Sequence, residues 1–150
     1  MTSARLAGFA TRALGLILDI MLINAATVVA AWALGTIGLD ASAAVIAGLA
    51  AAAWLALLSG YLLLFWTLTG QTPGMRFMGI RVTDRRGAPP RFARSVRRLL
   101  GMYLSVLTLG VGFLLVLVDD RRRGLHDRLA GTLVIHAPAA DRPGARRAVA

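Results

Sequence analysis

Three long apolar runs divide this chain, and polar, arginine-rich segments separate the second run from the third and follow the last. Residues 13–39 carry a single charged side chain, Asp19. About 20 apolar residues suffice to cross a bilayer core, so residues 12–37 predict a membrane-spanning helix. Residues 43–68 predict a second span, alanine-rich at first and aromatic near its end at Tyr61, Phe65 and Trp66. Aromatics gather at membrane interfaces. The linker Thr36–Ser42 carries Asp40 and no basic residue.

Residues 69–98 change character abruptly, with arginines at 76, 81, 85, 86, 91, 94, 97 and 98 against one acid, Asp84. By the positive-inside rule this segment is cytoplasmic, as is the N-terminus with Arg5 and Arg12, and the Asp40 linker lies outside. Within the segment, residues 78–83 alternate apolar and polar as a short strand does, and Arg85-Arg86-Gly87-Ala88-Pro89-Pro90 turns the chain. Residues 91–98 predict an amphipathic helix that sets Arg91, Arg94, Arg97 and Arg98 against lipid headgroups.

The third apolar run, residues 99–118, is long enough for one straight crossing. A single crossing would strand the following Arg121, Arg122 and Arg123 outside, together with a second strand-like stretch at residues 131–136. Two short strands need partners, and each is the other's obvious one, which requires both on one side. Gly110 and Gly112 break the run near its middle. The preferred reading is therefore a re-entrant or interfacial helical hairpin, which irregular backbone at membrane depth permits only under protein cover. The predicted fold is an all-α membrane protein in one domain, residues 1–137. It has two transmembrane helices, a third broken or re-entrant segment and a two-stranded cytoplasmic β ribbon. Residues 138–150, with Pro143 and Gly144, read as a disordered tail.

Composition agrees with a membrane class: hydrophobic residues are 57% of the chain and mean hydropathy is +0.69. A secretory signal would also begin with arginine before an apolar stretch, but not with Asp19 and Asn24 inside it, so the first helix is read as retained. Without cysteine there is no disulfide, thiolate metal site or cysteine nucleophile. The net charge is +10, and every base is arginine and every acid aspartate. Guanidinium groups bind phosphate in bidentate fashion, yet GC-rich codon usage explains the bias as well, along with the 16 glycines. Arginines dispersed along a membrane-facing surface attract anionic lipid. They lack the aromatic platform of a nucleic-acid binder.

Asp19 is the candidate with most chemistry. A carboxylate at that depth costs about 2.5–3.5 kcal/mol on insertion scales. Arg12 lies seven positions earlier on the same helical stripe, about 10 Å away along the axis. Three readings stand: a structural ion pair with Arg12 or a loop arginine, a proton-shuttling carboxyl, or a cation ligand. Asn24 lies about 140° around the helix from Asp19, which argues against a shared site. His126-Asp127 invites a catalytic reading, but no nucleophile elbow, phosphate loop or zinc spacing accompanies it. No catalytic residue, metal site or cofactor is therefore expected, and the chain is read as a non-enzyme.

Arg12 and Asp19, Thr72-Pro73-Gly74-Met75-Arg76 leading into Gly79-Ile80-Arg81-Val82, and the stretch Gly124-Leu125-His126-Asp127-Arg128-Leu129-Ala130-Gly131-Thr132 together resemble the RDD family of small bacterial membrane proteins. The resemblance covers roughly residues 5 to 137. The family is named for an arginine and two aspartates, which map here onto Arg12, Asp19 and Asp127. Where the family often carries a lysine after the threonine-x-glycine turn, this chain has Met75. The resemblance implies a multi-pass protein of the bacterial inner (plasma) membrane. The family's molecular role is mostly unassigned; transport of a cation, proton or small ligand is suggested for it, and the alternative is a non-transporting structural or auxiliary subunit of a membrane complex. The resemblance further implies one polar cluster of Arg12, Asp19 and Asp127 on the cytoplasmic side, which requires the ribbon to lie beneath the first helix. Two spans cannot enclose a pore, so a homo-oligomer or a larger membrane partner is expected. Small residues at Ala25, Ala26, Ala30, Ala31, Gly48, Ala52 and Ala56 allow close helix contact, read here as packing between the two spans of one chain in preference to contact between chains.

Overall fold

A computed structural model describes residues 6–35, 42–120 and 122–137. Helix α1 runs Phe9–Gly35 and α2 Ala43–Leu68, and both are long and apolar enough to cross a membrane. Their outward faces are bare hydrocarbon, with Ile17, Met21, Val28, Trp32, Leu49 and Leu64 all exposed. That is the distribution expected when lipid, not protein, is the solvent. Residues 36–41 of the linker, with Asp40, and the tail read as disordered lie outside the described residues.

Each later element is placed by a local device. Ser42 caps α2 by accepting from the Val45 N–H at 3.4 Å. The helix ends where Gly70 takes a left-handed conformation (φ 72°), its N–H bonding Phe65 O and Trp66 O. Gly70 O then accepts from Val82 N–H at 2.7 Å, so the chain leaving α2 lies directly on the ribbon. Thr72 caps the short α3 (Pro73–Phe77) through Met75 N–H, and Pro73 supplies a first helical residue with no amide to satisfy.

Strand β1 (Ile80–Thr83) pairs antiparallel with β2 (Leu133–His136), in the register Ile80–His136, Arg81–Ile135, Val82–Val134 and Thr83–Leu133. The chain just before α1 joins the same ribbon: Leu6 bridges Ile135, and Ala7 N–H donates to Val134 O at 3.0 Å. The buried core sits at this end of the helical hairpin and gathers Ala7, Leu62, Trp66, Met75, Ile80, Val82, Leu99 and Val134.

The third apolar segment is bent. Helix α4 (Phe92–Leu107) and helix α5 (Val111–Val118) meet at 106°. The amphipathic stretch expected over residues 91–98 does not end there but continues as α4 into the apolar run. Its buried stripe is Ser95, Arg98, Leu99, Gly101 and Ser105, while Phe92, Leu100 and Leu107 are exposed. At the elbow Leu109 (φ 53°) and Gly110 (φ 86°) are left-handed, and Gly110 N–H bonds Ser105 O at 2.8 Å. Helix α5 folds back so closely that a Cβ on Gly112 would lie 2.2 Å from Ser105 Oγ. A last short helix, α6 (Leu125–Ala130), packs on α4.

A second expectation changes as well. The small residues Ala25, Ala26, Ala30, Gly48, Ala52 and Ala56 are exposed and do not pack α1 onto α2. A Cβ on Gly48 would meet nothing within 4 Å. Polar contacts tie these helices instead: Trp54 Nε1–H donates to Asn24 Oδ1 at 2.8 Å, and Tyr61 reaches Asp19. The elbow gives a direct test. Gly112→Ala should force α5 off α4 and cost roughly 1–3 kcal/mol, as overpacking does. Thermal unfolding in mild detergent should show the loss, whereas Gly48→Ala should leave the midpoint unchanged.

Candidate functional site

Two buried polar centres form where the hairpin meets the ribbon, and one cavity adjoins both. The first centre is Asp127, fully buried at the start of α6. Its backbone position lets Oδ2 accept from the Gly124 N–H at 3.2 Å. Oδ2 also accepts from Arg12 Nη1 at 2.6 Å, and Oδ1 accepts from Arg98 Nη1 and Thr132 Oγ1. Arg12 comes from α1, Arg98 from α4 and Thr132 from the entry to β2, so four separate segments converge on one carboxylate. Arg12 is further oriented by Nε–H donating to Ala7 O at 3.1 Å. Burial alone would raise the Asp127 carboxyl, but Arg98 and Arg12 beside it hold it down at about 2.

Arg98 stacks over the Trp66 ring at 4.8 Å to its centroid. A desolvated cation over indole contributes up to about 2 kcal/mol. Yet Arg98 Nε and Trp66 Nε1 are buried with no acceptor among the described residues, each a cost of about 1–3 kcal/mol. His126 packs its ring on Phe113, with centroids 5.5 Å apart, and sets Nε2 3.6 Å from Asp127 Oδ2. Burial, then the charge of Arg98, push the imidazole down to about 4, so it is neutral near pH 7. Gly101 and Gly124 make room for it: a Cβ on Gly101 would lie 2.6 Å from His126 Cα, and one on Gly124 2.6 Å from Cε1.

The second centre is Asp19, 1% exposed in the middle of α1. Oδ1 accepts from Tyr61 Oη at 2.7 Å and from Gly74 N–H at 2.8 Å, and Oδ2 accepts from Thr72 Oγ1. Among the described residues no cation reaches it. Gly74 has no room for a side chain: a Cβ there would lie 2.2 Å from Gly15 O and 2.8 Å from the carboxylate. The threonine-proline-glycine turn therefore lays its backbone against α1 as a cradle for the acid.

The sequence placed Arg12, Asp19 and Asp127 in one cluster. The structure brings Arg12 and Asp127 into contact beneath α1 but gives Asp19 partners of its own. An arginine partner for Asp19 is thus replaced by three neutral donors. Arg98, expected at lipid headgroups, is instead 3% exposed and committed to Asp127. Of the other arginines expected there, Arg91, Arg97 and Arg122 are exposed, Arg94 pairs with Asp84 at 3.1 Å, and Arg123 pairs with Asp119 at 3.0 Å. Arg121 lies outside the described residues. Met75, where a lysine was expected, fills the core, and Arg76 beside it is exposed. Sequence reasoning missed Tyr61, Thr72 and Trp66 as site residues and gave Arg98 the wrong partner. Thr72 and Gly74 did stand in a quoted motif, but nothing local pairs that motif with residue 19.

A cavity of about 260 Å³ lies between α1 and the bent pair α4–α5. Phe9, Leu16, Ile17, Ile20, Leu62, Met102, Phe113 and Val116 wall it, and Arg12, Asp19, Trp66, Arg98 and His126 border it. Helix α1 packs on α3 and lightly on α2 without packing closely on α4 or α5, which leaves this space open. Among the described residues no cluster of metal-ligating side chains forms.

Asp127→Asn should leave two buried guanidinium groups without a counter-charge and lower stability by about 3–5 kcal/mol. Adding Arg98→Met should recover part of that loss, so a double-mutant cycle read by thermal unfolding should be strongly non-additive. His126 predicts a second dependence. Its folded pKa, about 4, lies below the ordinary value of 6.5, so the unfolded chain binds the extra proton between those values. Stability is therefore full above pH 6.5 and falls as pH drops towards 4, by about 2 kcal/mol between pH 7 and 5. Denaturation at the two pH values should show that slope, and His126→Gln should flatten it.

A relative from Rickettsia prowazekii, described as an uncharacterized protein, is 29% identical over 75 residues, which is 50% of this chain and 42% of that relative. The chain thus spans less than half the length of the curated relative it matches. No solved structure matches. The model of the RDD family matches residues 6–131, from the bridge before α1 to the end of α6. The chain belongs to the RDD family.

Proposed function

We propose that this protein handles a small ligand within the membrane and does no chemistry on it. It would act in the bacterial inner membrane with its arginine-rich end cytoplasmic. The carrying observation is the cavity: apolar walls along α1, a helix long and apolar enough to cross a membrane, bordered by Asp19 on one side and by Arg12, Arg98 and His126 on another. Pockets of this make-up, mostly apolar with a few converging polar groups, are the usual form of small-molecule sites. The cation and proton readings are less well supported. Asp19 already accepts three hydrogen bonds from fixed donors, which leaves little of the open oxygen cage a cation needs.

The rival reading is a structural or auxiliary subunit. It rests on the exposed small residues of α1 and α2, which offer two unpacked faces to a second copy or to a larger membrane protein. Two spans enclose no pore, so movement of a ligand across the bilayer would also need such a partner.

Native mass spectrometry of the full chain, released from membranes in mild detergent, separates these readings. Ligand handling predicts a bound small mass that disappears in Ala13→Phe, a substitution that fills the cavity from Ala13, which lines it on α1. An empty cavity, together with Na⁺- or K⁺-driven pH change in proteoliposomes that Asp19→Asn abolishes, would establish cation exchange instead. Neither signal would leave the auxiliary role.

A further inference from the structure

The shape of the cavity and the charge at its rim narrow the ligand class, given the ligand-handling reading above. The lining residues on α1 extend from Phe9 to Ile20, about 16 Å along the helix axis. The volume, about 260 Å³, compares with about 150 Å³ for an apolar cavity that admits benzene, so it holds roughly ten non-hydrogen atoms. Ten atoms spread along three helical turns describe a chain and not a compact ring. Phe9 and Ile17 are exposed as well as lining, so the space opens on the lipid-facing side of α1.

At the Phe9 end the rim is basic. Arg12 borders the cavity, and Arg122 lies beside the residue preceding α1, its Nη1 3.6 Å from where a Cβ on Gly8 would be. Arg122 is exposed, and no acidic partner reaches it among the described residues. Its backbone is left-handed, with φ 49°, a conformation a non-glycine residue seldom adopts without support from its surroundings. Among the described residues, Arg12, Arg98 and Arg122 outnumber Asp127 at this end, which leaves a surplus of positive charge. The cavity is lined by Phe9 and Arg12, and Arg122 lies beside Gly8, the residue before Phe9, so a hydrocarbon tail in the one could carry an anionic oxygen towards the other.

We propose that the cavity seats one acyl chain of an anionic amphiphile whose head lies at Arg122 and Arg12. A whole phospholipid does not fit, so either one chain of a membrane phospholipid enters while its phosphate stays at the rim, or a free fatty acid enters with its carboxylate there. The shared chemistry is an aliphatic chain of about ten enclosed carbons ending at an anionic head.

Trp66 borders the cavity and reports on it. In the full chain carrying Trp32→Phe and Trp54→Phe, Trp66 is the sole tryptophan. The protein goes into phosphatidylcholine nanodiscs, and mid-chain brominated phosphatidylglycerol, phosphatidylcholine or fatty acid is titrated in. The expected result is saturable quenching by brominated phosphatidylglycerol or fatty acid at low mole fraction. Whichever saturates first identifies the source, and brominated phosphatidylcholine gives only the linear quenching of bulk lipid. Arg122→Gln should weaken the anionic probe roughly fivefold, the loss expected for one arginine near a charged surface. Ala13→Phe from α1 should remove the saturable component, and if that chain does not fold, Met102→Trp filled from α4 and read by mass spectrometry should do the same. Equal saturable quenching by phosphatidylcholine, or no effect of Arg122→Gln, would overturn the anionic head while the cavity reading survives. Linear quenching by every probe, unchanged by either filling substitution, would overturn both.

Discussion

One carboxylate organises this molecule. Asp127 is fully buried, and it takes hydrogen bonds from α1, α4, the turn before α6 and the entry to β2. An anion in such a place is tolerable only while its cations are present, and each cation only while the anion is. The two arginines repel each other and the acid neutralises one of them, so the arrangement is all-or-none. Apolar packing at this end is present in the core around Ile80, Val82 and Val134, but between membrane helices it lacks the hydrophobic driving force that water supplies. Directional, charged contacts supply the specificity that hydrocarbon lacks.

The Asp19 centre solves a different problem by the same economy. It holds the loop after α2 against the middle of α1 through Thr72 and the amide of Gly74, and it holds α2 through Tyr61. Gly74 is required there for space and not for conformation, since a Cβ would meet Gly15 O. Together the two aspartates fasten α1 at two heights, to the turn at Gly74 and to α6. Between those heights α1 touches α4 and α5 little, and the cavity is the consequence.

Much of the fold was legible because its signals are local or compositional. Two runs of span length, glycines breaking the third run, and two alternating six-residue stretches gave the hairpin, the bent pair and the ribbon. The second span was read at the bounds the structure has, Ala43–Leu68. The Arg12–Asp127 contact was also within reach, since pairing the two strands places the ribbon under α1. What sequence could not supply was three-dimensional competition for partners. Asp19 looked in need of an arginine because arginine abounds, whereas the geometry offers Tyr61, Thr72 and an amide first. Arg98 sat in a row of arginines that all read as headgroup ligands. Helical phase alone sends it inward with Ser95, Leu99 and Ser105, while Arg91 and Arg97 stay out. The small-residue stripes failed as a guide for the same reason, because close packing needs an approaching helix, and polar contacts already set the α1–α2 spacing.

The two polar centres also explain why the cavity is bordered by such unequal chemistry. A void inside a soluble protein is closed by collapse of the surrounding side chains, at a gain in dispersion energy. Here α1 is pinned by Asp19 above and by Asp127 below, and α5 is pinned by its elbow against Ser105 and by His126 against Phe113. Helix α1 cannot move inward without breaking a buried polar contact, and each such contact is costly to leave unmade. The polar centres thus maintain an apolar space that packing forces would otherwise eliminate. Its walls are mostly apolar, which suits hydrocarbon better than water. The orphaned Nε groups of Arg98 and Trp66 on its border add a cost that the fold sustains only because the Asp127 junction holds Arg98 in place.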